Sequence, residues 1–159
     1  MSAPPLDGIV LRPAIASDLA SVERLLVESG LPTAGVAEAL CTFVVAARES
    51  TIVGVVGLEL CCDHGLLRST AVDPAYRDLG LGRALVERII AEAEARGLDA
   101  LYLLTTTAER YFPSFGFVAT TRDEFPLPVR ETVEFTSACP ATATAMCLPL
   151  PAPPTRRLK

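Results

Sequence analysis

Val72-Asp73-Pro74-Ala75-Tyr76-Arg77-Asp78-Leu79-Gly80-Leu81-Gly82-Arg83-Ala84-Leu85 is the stretch that decides the fold. An apolar run closes at Val72-Asp73-Pro74, and a periodic segment opens at Gly80. Leu81, Leu85, Ile89 and Ala93 recur at helical spacing, with Ala84 and Ile90 widening the stripe. A strand, a glycine turn and a helix start together make an anion cradle. The first N–H groups of a helix lack partners, and its dipole favours negative charge there. Gly80 and Gly82 carry no side chain, so a phosphate can approach the main chain closely. Arg77 and Arg83 flank the turn with charge and forked donors. A Walker-type loop needs Lys-Ser or Lys-Thr after its last glycine, where this chain has Arg83-Ala84. A dinucleotide fingerprint needs G-x-G-x-x-G, where this chain has R-x-x-G-x-G. Neither fits.

Working outward, Gly8–Arg12 reads as a first strand ended by Pro13. Ser17-Asp18 before Leu19, Val22, Leu25 and Leu26 marks a helix start and an apolar stripe, stopped by Gly30-Leu31-Pro32. Val36–Leu40 predicts a short second helix. Phe43–Ala47 and Ile52–Cys61 read as strands around the charged turn Arg48-Glu49-Ser50. Asp63-His64-Gly65 is expected as a hairpin turn into Leu66–Val72, which makes His64 a solvated turn residue. The long helix runs Gly80–Arg96 with Gly97 as its cap and Glu92–Arg96 as supporting i,i+4 charges. Ala100–Leu104 is a continuous apolar run, expected of a strand covered on both faces. Ala108–Phe115 predicts a short helix made irregular by Pro113. Phe117–Thr121 and Ala143–Leu148 complete the strands, with Arg122–Glu131 as a polar, proline-bearing excursion between them. The sum is an α+β domain: a mixed, mostly antiparallel sheet with helices on both faces. It is expected to fill residues 1–150 as one unit, with 151–159 as a mobile tail.

Half of the 159 residues are apolar and a fifth are charged, which is the balance of a globular chain. The net charge of −5 comes without a basic run before the short Arg156-Arg157 pair. Nucleic acid and anionic membrane are therefore not expected partners. No apolar stretch approaches the ~18–20 residues of a membrane span, and no signal-like N-terminus is visible, so a cytoplasmic protein is expected. Five cysteines (Cys41, Cys61, Cys62, Cys139, Cys147) make an odd count without metal-ligand spacing, so no metal is expected.

The stretch from Val72 to Leu85 resembles the acetyl-CoA motif of the GNAT superfamily of N-acetyltransferases. Ala100–Leu104, Ala108-Glu109-Arg110-Tyr111-Phe112 and Phe115-Gly116-Phe117 look like that superfamily's fifth strand, fourth helix and terminal Gly-Phe turn. The resemblance runs from about Gly8 to Leu150. It implies a three-layer α/β/α sandwich whose fourth and fifth strands, here Leu66–Val72 and Ala100–Leu104, splay apart to admit acetyl-CoA. A narrower resemblance is carried by Gly65-Leu66-Leu67-Arg68-Ser69-Thr70-Ala71-Val72, Leu103-Leu104-Thr105-Thr106-Thr107-Ala108-Glu109 and Glu134-Phe135-Thr136-Ser137-Ala138-Cys139-Pro140. These look like the GNAT group encoded in bacterial arsenic-resistance operons, itself similar to short glutamate-type amino-acid N-acetyltransferases.

The implied activity is acetyl transfer from acetyl-CoA to the amine of a small amino-acid-like acceptor, including a toxic arsenic- or phosphorus-bearing analogue. A non-catalytic sensor on the same fold is the competing implication. By resemblance, the Val72 N–H is the oxyanion donor, and Ala71, Val72, Arg77, Asp78, Leu79, Gly80, Leu81, Gly82, Arg83, Thr105, Thr106 and Phe112 hold the coenzyme. Thr105 and Thr106 either bond its amides or cap the next helix.

On a period-2 strand Leu66, Arg68, Thr70 and Val72 share a face, which points Arg68 at the acceptor. Arg68 either grips an acceptor anion or makes a structural ion pair with Glu59. Thr70, Ser137 and Cys139, with Arg122 or Arg130, are further candidates for framing the acceptor. The fourth strand lacks the superfamily's carboxylate base, so Glu59 or Glu109 acts through water, or the amine sheds its proton to solvent. The superfamily's acid tyrosine is replaced by Phe112. Tyr111, one position earlier, either reaches the sulfur or only packs. A monomer or homodimer is expected.

Overall fold

The computed structural model describes residues 8–106, 108–132, 135–136 and 142–151. Ser137 and Cys139, the expected acceptor residues of the last loop, lie outside these, as do Thr107 and all of the expected tail beyond Pro151.

Seven strands form one sheet: β1 (Ile9–Pro13), β2 (Val44–Arg48), β3 (Thr51–Cys61), β4 (His64–Val72), β5 (Ala100–Thr105), β6 (Val118–Thr120) and β7 (Thr144–Pro149). Their order is β1-β2-β3-β4-β5-β7-β6. All neighbours are antiparallel except β4 and β5, which run parallel. Among the described residues the α-helices are α1 (Leu19–Glu28), α2 (Val36–Ala39), α3 (Leu81–Ala95) and α4 (Leu127–Arg130).

Helix α3 covers one face. Its Leu81, Leu85, Val86, Ile89 and Ala93 are buried against Val44, Ala46, Val56, Leu58 and Leu67 of the sheet. The other face holds two clusters. Val22, Leu25 and Leu26 of α1 pack on Val45, Ala47, Val55 and Ala71, and Val129 of α4 packs with Phe125 on Leu66 and Leu104. Alternation along β2 explains the division: Val44 and Ala46 face α3, while Val45 and Ala47 face α1. The result is the expected three-layer arrangement.

Local details confirm some expected boundaries and move others. Helix α3 ends in a Schellman motif, with Gly97 N–H on Glu94 O (3.0 Å) and Leu98 N–H on Ala93 O (3.1 Å). Its supporting i,i+4 ion pairs are Arg88–Glu92 (3.1 Å) and Arg83–Glu87 (3.7 Å) rather than the expected Glu92–Arg96. The β3–β4 hairpin turns at Cys62-Asp63, and Cys61 pairs with His64. His64 thus belongs to β4 and lies edge-on to Tyr102, with ring centroids 5.7 Å apart, instead of standing in a solvated turn. The expected Ala108–Phe115 helix shrinks to a 3-10 turn, Phe112–Phe115, because Pro113 supplies no N–H.

The most consequential correction lies in β4. Residues Gly57 to Cys61 pair with Arg68 to His64, but Gly54 and Val55 pair with Val72 and Ala71. The single residue Val56 is therefore opposed by Ser69 and Thr70 together. This is a β-bulge, and Ser69 adopts φ 60. One extra residue reverses the alternation, so Leu66, Arg68, Thr70 and Val72 do not share a face. Leu67 and Val72 face α3, whereas Leu66, Arg68 and Ala71 face α1 and α4.

Candidate functional site

β4 and β5 are joined by three rungs: His64↔Ala100, Gly65↔Leu101 and Leu66↔Tyr102. Past Leu66 the strands part, and among the described residues no strand pairs with Leu67–Val72 on its β5 side. The register fixes what points into this gap. Asp73 N–H reaches Val53 O at 2.8 Å, so Asp73 bonds toward β3. Val72, one residue back and opposite Gly54, then directs its N–H and C=O the other way. Its carbonyl accepts from Arg77 Nε at 3.0 Å. The neighbouring Thr70 Oγ1 is buried without a hydrogen-bond partner among the described residues.

The cradle adjoins the gap. Asp73 accepts the Ala75 N–H (2.9 Å) and starts a 3-10 turn at Pro74–Tyr76. Asp78 (φ 64) and Gly80 (φ 87) then fold the chain into the start of α3. A Cβ at Gly80 would meet no atom within 4 Å, so the space over the turn is open. Ala84 is the first N–H to reach a helix carbonyl, Gly80 O at 3.0 Å. The N–H groups of residues 80–83 accordingly face outward, as at any helix start.

Arg83 reaches sideways. Its Nη2 donates to Ser114 Oγ at 2.8 Å, its guanidinium lies 4.5 Å from the Phe115 ring centroid, and Glu87 stands at 3.7 Å. Ser114 in turn donates to Tyr111 O at 2.7 Å. Arg83 therefore ties the 111–115 turn to the end of α3. Tyr111 is the ring this turn presents. A Cβ at Gly82 would lie 3.6 Å from the Tyr111 hydroxyl and 3.7 Å from Val72 Cγ2, which puts all three around one spot. Burial pushes the Tyr111 phenol up, opposed by the Arg83 charge and reinforced by Glu87, so it stays protonated at neutral pH. Phe112, expected at the coenzyme, turns into the core instead, at 5% exposure against Phe117. Thr105 Oγ1 accepts the Ala108 N–H (3.0 Å) and so closes a local turn at the end of β5, with no helix there to cap among the described residues. Thr106 is exposed beyond the strand end, as is Glu109.

On the opposite face, Arg68 is fully buried. It donates to Glu59 Oε1 (3.2 Å), to Ala34 O (2.6 Å) and to Ser69 Oγ (3.0 Å). The ion pair with Glu59 is thus present. Glu59 is half-buried and also lines a cavity of about 560 Å³, together with Gly35, Glu38, Cys41, Thr42, Leu60, Glu131 and Thr132. Glu38, Glu131 and the cavity itself were not visible in the sequence, because α2 and α4 are single turns brought together only by packing. Cys61 is buried, and its thiol is pushed up to about 12, chiefly by burial and then by the Glu59 charge. Among the described residues no cluster of three His, Cys, Asp or Glu could hold a metal ion. No helix among them is long and apolar enough to cross a membrane.

A parallel strand pair that opens beside a main-chain anion cradle, with the Tyr111 phenol at their meeting point, makes a gap suited to a phosphate-bearing ligand. Comparison with known proteins places it. The family model described as "Acetyltransferase (GNAT) domain" matches residues 39–119, and the chain belongs to this family. The amino-acid acetyltransferase of Pseudomonas fluorescens SBW25 is 38% identical over 86 residues, covering 53% of this chain and 20% of that protein. That of Pseudomonas syringae pv. syringae is 37% identical over the same extent. The chain spans about a fifth of the length of these curated relatives.

Among solved structures, N-acetylglutamate synthase from Neisseria gonorrhoeae, complexed with coenzyme A and N-acetyl-glutamate, superposes with a TM-score of 0.77 at 22% identity. The match covers 90% of this chain and 35% of that one. Rv2747 from Mycobacterium tuberculosis, in complex with CoA and NLQ, gives 0.72 at 25% identity, covering 89% and 99%. The likeness to the gonococcal synthase is one of fold.

Proposed function

We propose that this protein is an acetyl-CoA-dependent N-acetyltransferase that acetylates the amine of a small amino-acid-like acceptor. The observation that carries this reading is the Val72 N–H, aimed into a gap that opens between the cradle and Tyr111.

The chain's own groups fit the coenzyme. Outward N–H groups of residues 80–83 suit a diphosphate, and the open space over Gly80 admits it. The parted strands leave main-chain donors for an extended amide-bearing arm, and the orphaned Thr70 hydroxyl awaits a partner. When bound, acetyl-CoA supplies an activated acetyl group on a thiol leaving group. Ala71 and Val72 would border its acetyl group, and the Val72 N–H would supply the donor for a carbonyl oxygen gaining charge. The new C–N bond forms as the C–S bond breaks. The amine must lose one proton, and the departing sulfur takes one or leaves as thiolate. Tyr111, protonated and beside Val72 and Gly82, is the donor to that sulfur. Glu59 is the base, acting through water from the cavity, with Arg68 fixing its carboxylate. Arg68 thus acts by positioning Glu59, since each of its three guanidinium nitrogens already donates within the protein. Positioning the two reactants supplies much of the rate.

The acceptor class follows the amino-acid acetyltransferases that the chain resembles in sequence. An arsenic- or phosphorus-bearing analogue, implied by the narrower resemblance, belongs in the same panel. Thioester consumption over amino acids, amines and these analogues tests the reading. Turnover with at least one acceptor supports it. Tight acetyl-CoA binding without turnover of any would instead favour a sensor. The role given to Arg68 predicts that Arg68→Ala lowers kcat with little change in the acceptor KM, whereas direct acceptor binding would raise the acceptor KM alone.

A further inference from the structure

Tyr111 stands on the shortest element of the site. The 3-10 turn Phe112–Phe115 is about one turn long, Pro113 supplies no N–H to it, and Tyr111 is 37% exposed. Burial alone does not fix such a ring. Arg83 reaches it by two separate routes. In the first, Arg83 Nη2 donates to Ser114 Oγ (2.8 Å), whose hydroxyl donates to Tyr111 O (2.7 Å). In the second, the guanidinium covers the Phe115 ring at 4.5 Å, and the Tyr111 ring stands edge-on to Phe115 with centroids 5.2 Å apart. Both routes start from the residue after Gly82, and a Cβ at Gly82 would lie 3.6 Å from the Tyr111 hydroxyl. The phenol is therefore held relative to the first turn of α3, the turn that forms the cradle. The third partner of the guanidinium, Glu87 at 3.7 Å, lies one turn further from the helix start. The Arg83 side chain is thus committed to the 111–115 turn, while its main-chain N–H stays in the cradle.

We infer that Arg83 and Ser114 are positioning residues for the transfer step, holding the Tyr111 hydroxyl at the departing sulfur, and that the Arg83 side chain adds little to coenzyme affinity. The inference rests on the acetyltransferase reading, with Tyr111 as its proton donor, and deepens it. Proton donation needs donor and acceptor within about 2.6–3.2 Å, so a ring free to swing loses rate without losing affinity. Burial pushes the phenol up and the Arg83 charge opposes that push, so the same side chain also makes the proton easier to give.

A double-mutant cycle in the full chain tests it, with kcat from thioester consumption and the acetyl-CoA Kd from calorimetry. Ser114→Ala and Arg83→Met should each lower kcat about 4-fold, less than Tyr111→Phe does, and change Kd by less than about 2-fold. Ser114→Thr keeps the hydroxyl and should restore kcat. In the Tyr111→Phe background neither change should lower kcat further, because the group they place is gone. Losses that multiply would mark a merely structural contact and overturn the inference, as would an unchanged kcat in either single variant. A Kd raised about tenfold by Arg83→Met at retained kcat would put the guanidinium on the coenzyme and overturn it too. An unchanged kcat in Tyr111→Phe removes the donor, and the inference with it, but leaves acetyl transfer standing. If no acceptor turns over, the acetyltransferase reading fails, and tyrosine emission decides the inference. The chain has no tryptophan and three tyrosines, so a CoA-induced emission change that Tyr111→Phe abolishes reports this ring. Loss of that change in Ser114→Ala at equal CoA affinity sustains the inference. Its persistence there, or its absence from the unsubstituted protein, refutes it.

Discussion

The two halves of the site are built from different materials. On the α3 side, the cradle consists of main chain: N–H groups of residues 80–83, the Val72 N–H, and a turn shaped by Asp78 and Gly80. On the α1 and α4 side, the cavity is lined by three separate stretches of chain, 35–42, 59–60 and 131–132. Main-chain donors are the same whatever the residue, so the cradle is fixed by backbone path and by the absence of bulk. The cavity is fixed by residue identity and by packing. A cradle of this kind tolerates any side chain that keeps the backbone path open, while the cavity changes shape and charge with each residue that lines it.

Breaking the side-chain half should produce the largest effect. Arg68→Ala leaves Glu59 and the Ala34 carbonyl without their buried donor, and loss of one partner of such a pair costs about 4 kcal/mol. Thermal or urea melts measure it, and a loss below about 1 kcal/mol would show the pair to be dispensable. On the main-chain half, Gly82→Leu should raise the acetyl-CoA Kd about 100-fold, or about 2.7 kcal/mol, by filling the space among Tyr111, Val72 and the diphosphate position. Its melt should barely move, because the first carbon alone fits there at ordinary contact distance.

Tyr111→Phe removes only a hydroxyl, and kcat should fall about tenfold while the acetyl-CoA Kd holds. Since burial raises the phenol's pKa, kcat should show no inflection from this group at neutral pH. An unchanged kcat would assign Tyr111 to packing.

The smallest effect is a control remote from both halves. Asp18 accepts two bonds from Arg12 (2.8 and 3.0 Å) and one from the Ile15 N–H (2.8 Å), and the Arg12 hydrogen bond is the main cause of its lowered pKa. Its stabilisation is present above the unfolded carboxylate pKa of about 3.9 and is lost as pH falls through the lower folded value. Asp18→Asn should cost about 1 kcal/mol at neutral pH. It should also flatten the acid limb of the stability curve, with both KM values unchanged.

The contrast also explains what could be read in advance. The strand-turn-helix at 72–85, the stripe of α3 and its ending at Gly97 are local patterns, and each stands close to where periodicity and glycine place it. The bulge at Ser69-Thr70 has no comparable mark, since neither residue is one that demands φ 60. Yet it puts Val72 on the face opposite Arg68, which shares its own face with Leu66. Tyr111 and Phe112 show the same limit. Helical spacing sets them apart by a rotation, but the 3-10 turn at Pro113 and the Arg83–Ser114–Tyr111 chain decide which ring faces the cradle.

From its residues alone, the chain determined a mixed sheet with a long covering helix and a glycine cradle, because those depend on periodicity and on missing side chains. The faces of β4, the pairing of Arg68 with Glu59 and the meeting of Glu38, Glu59 and Glu131 around one cavity were decided only by the tertiary structure. They join segments distant in sequence, and a single extra residue in a strand reverses every side chain that follows it.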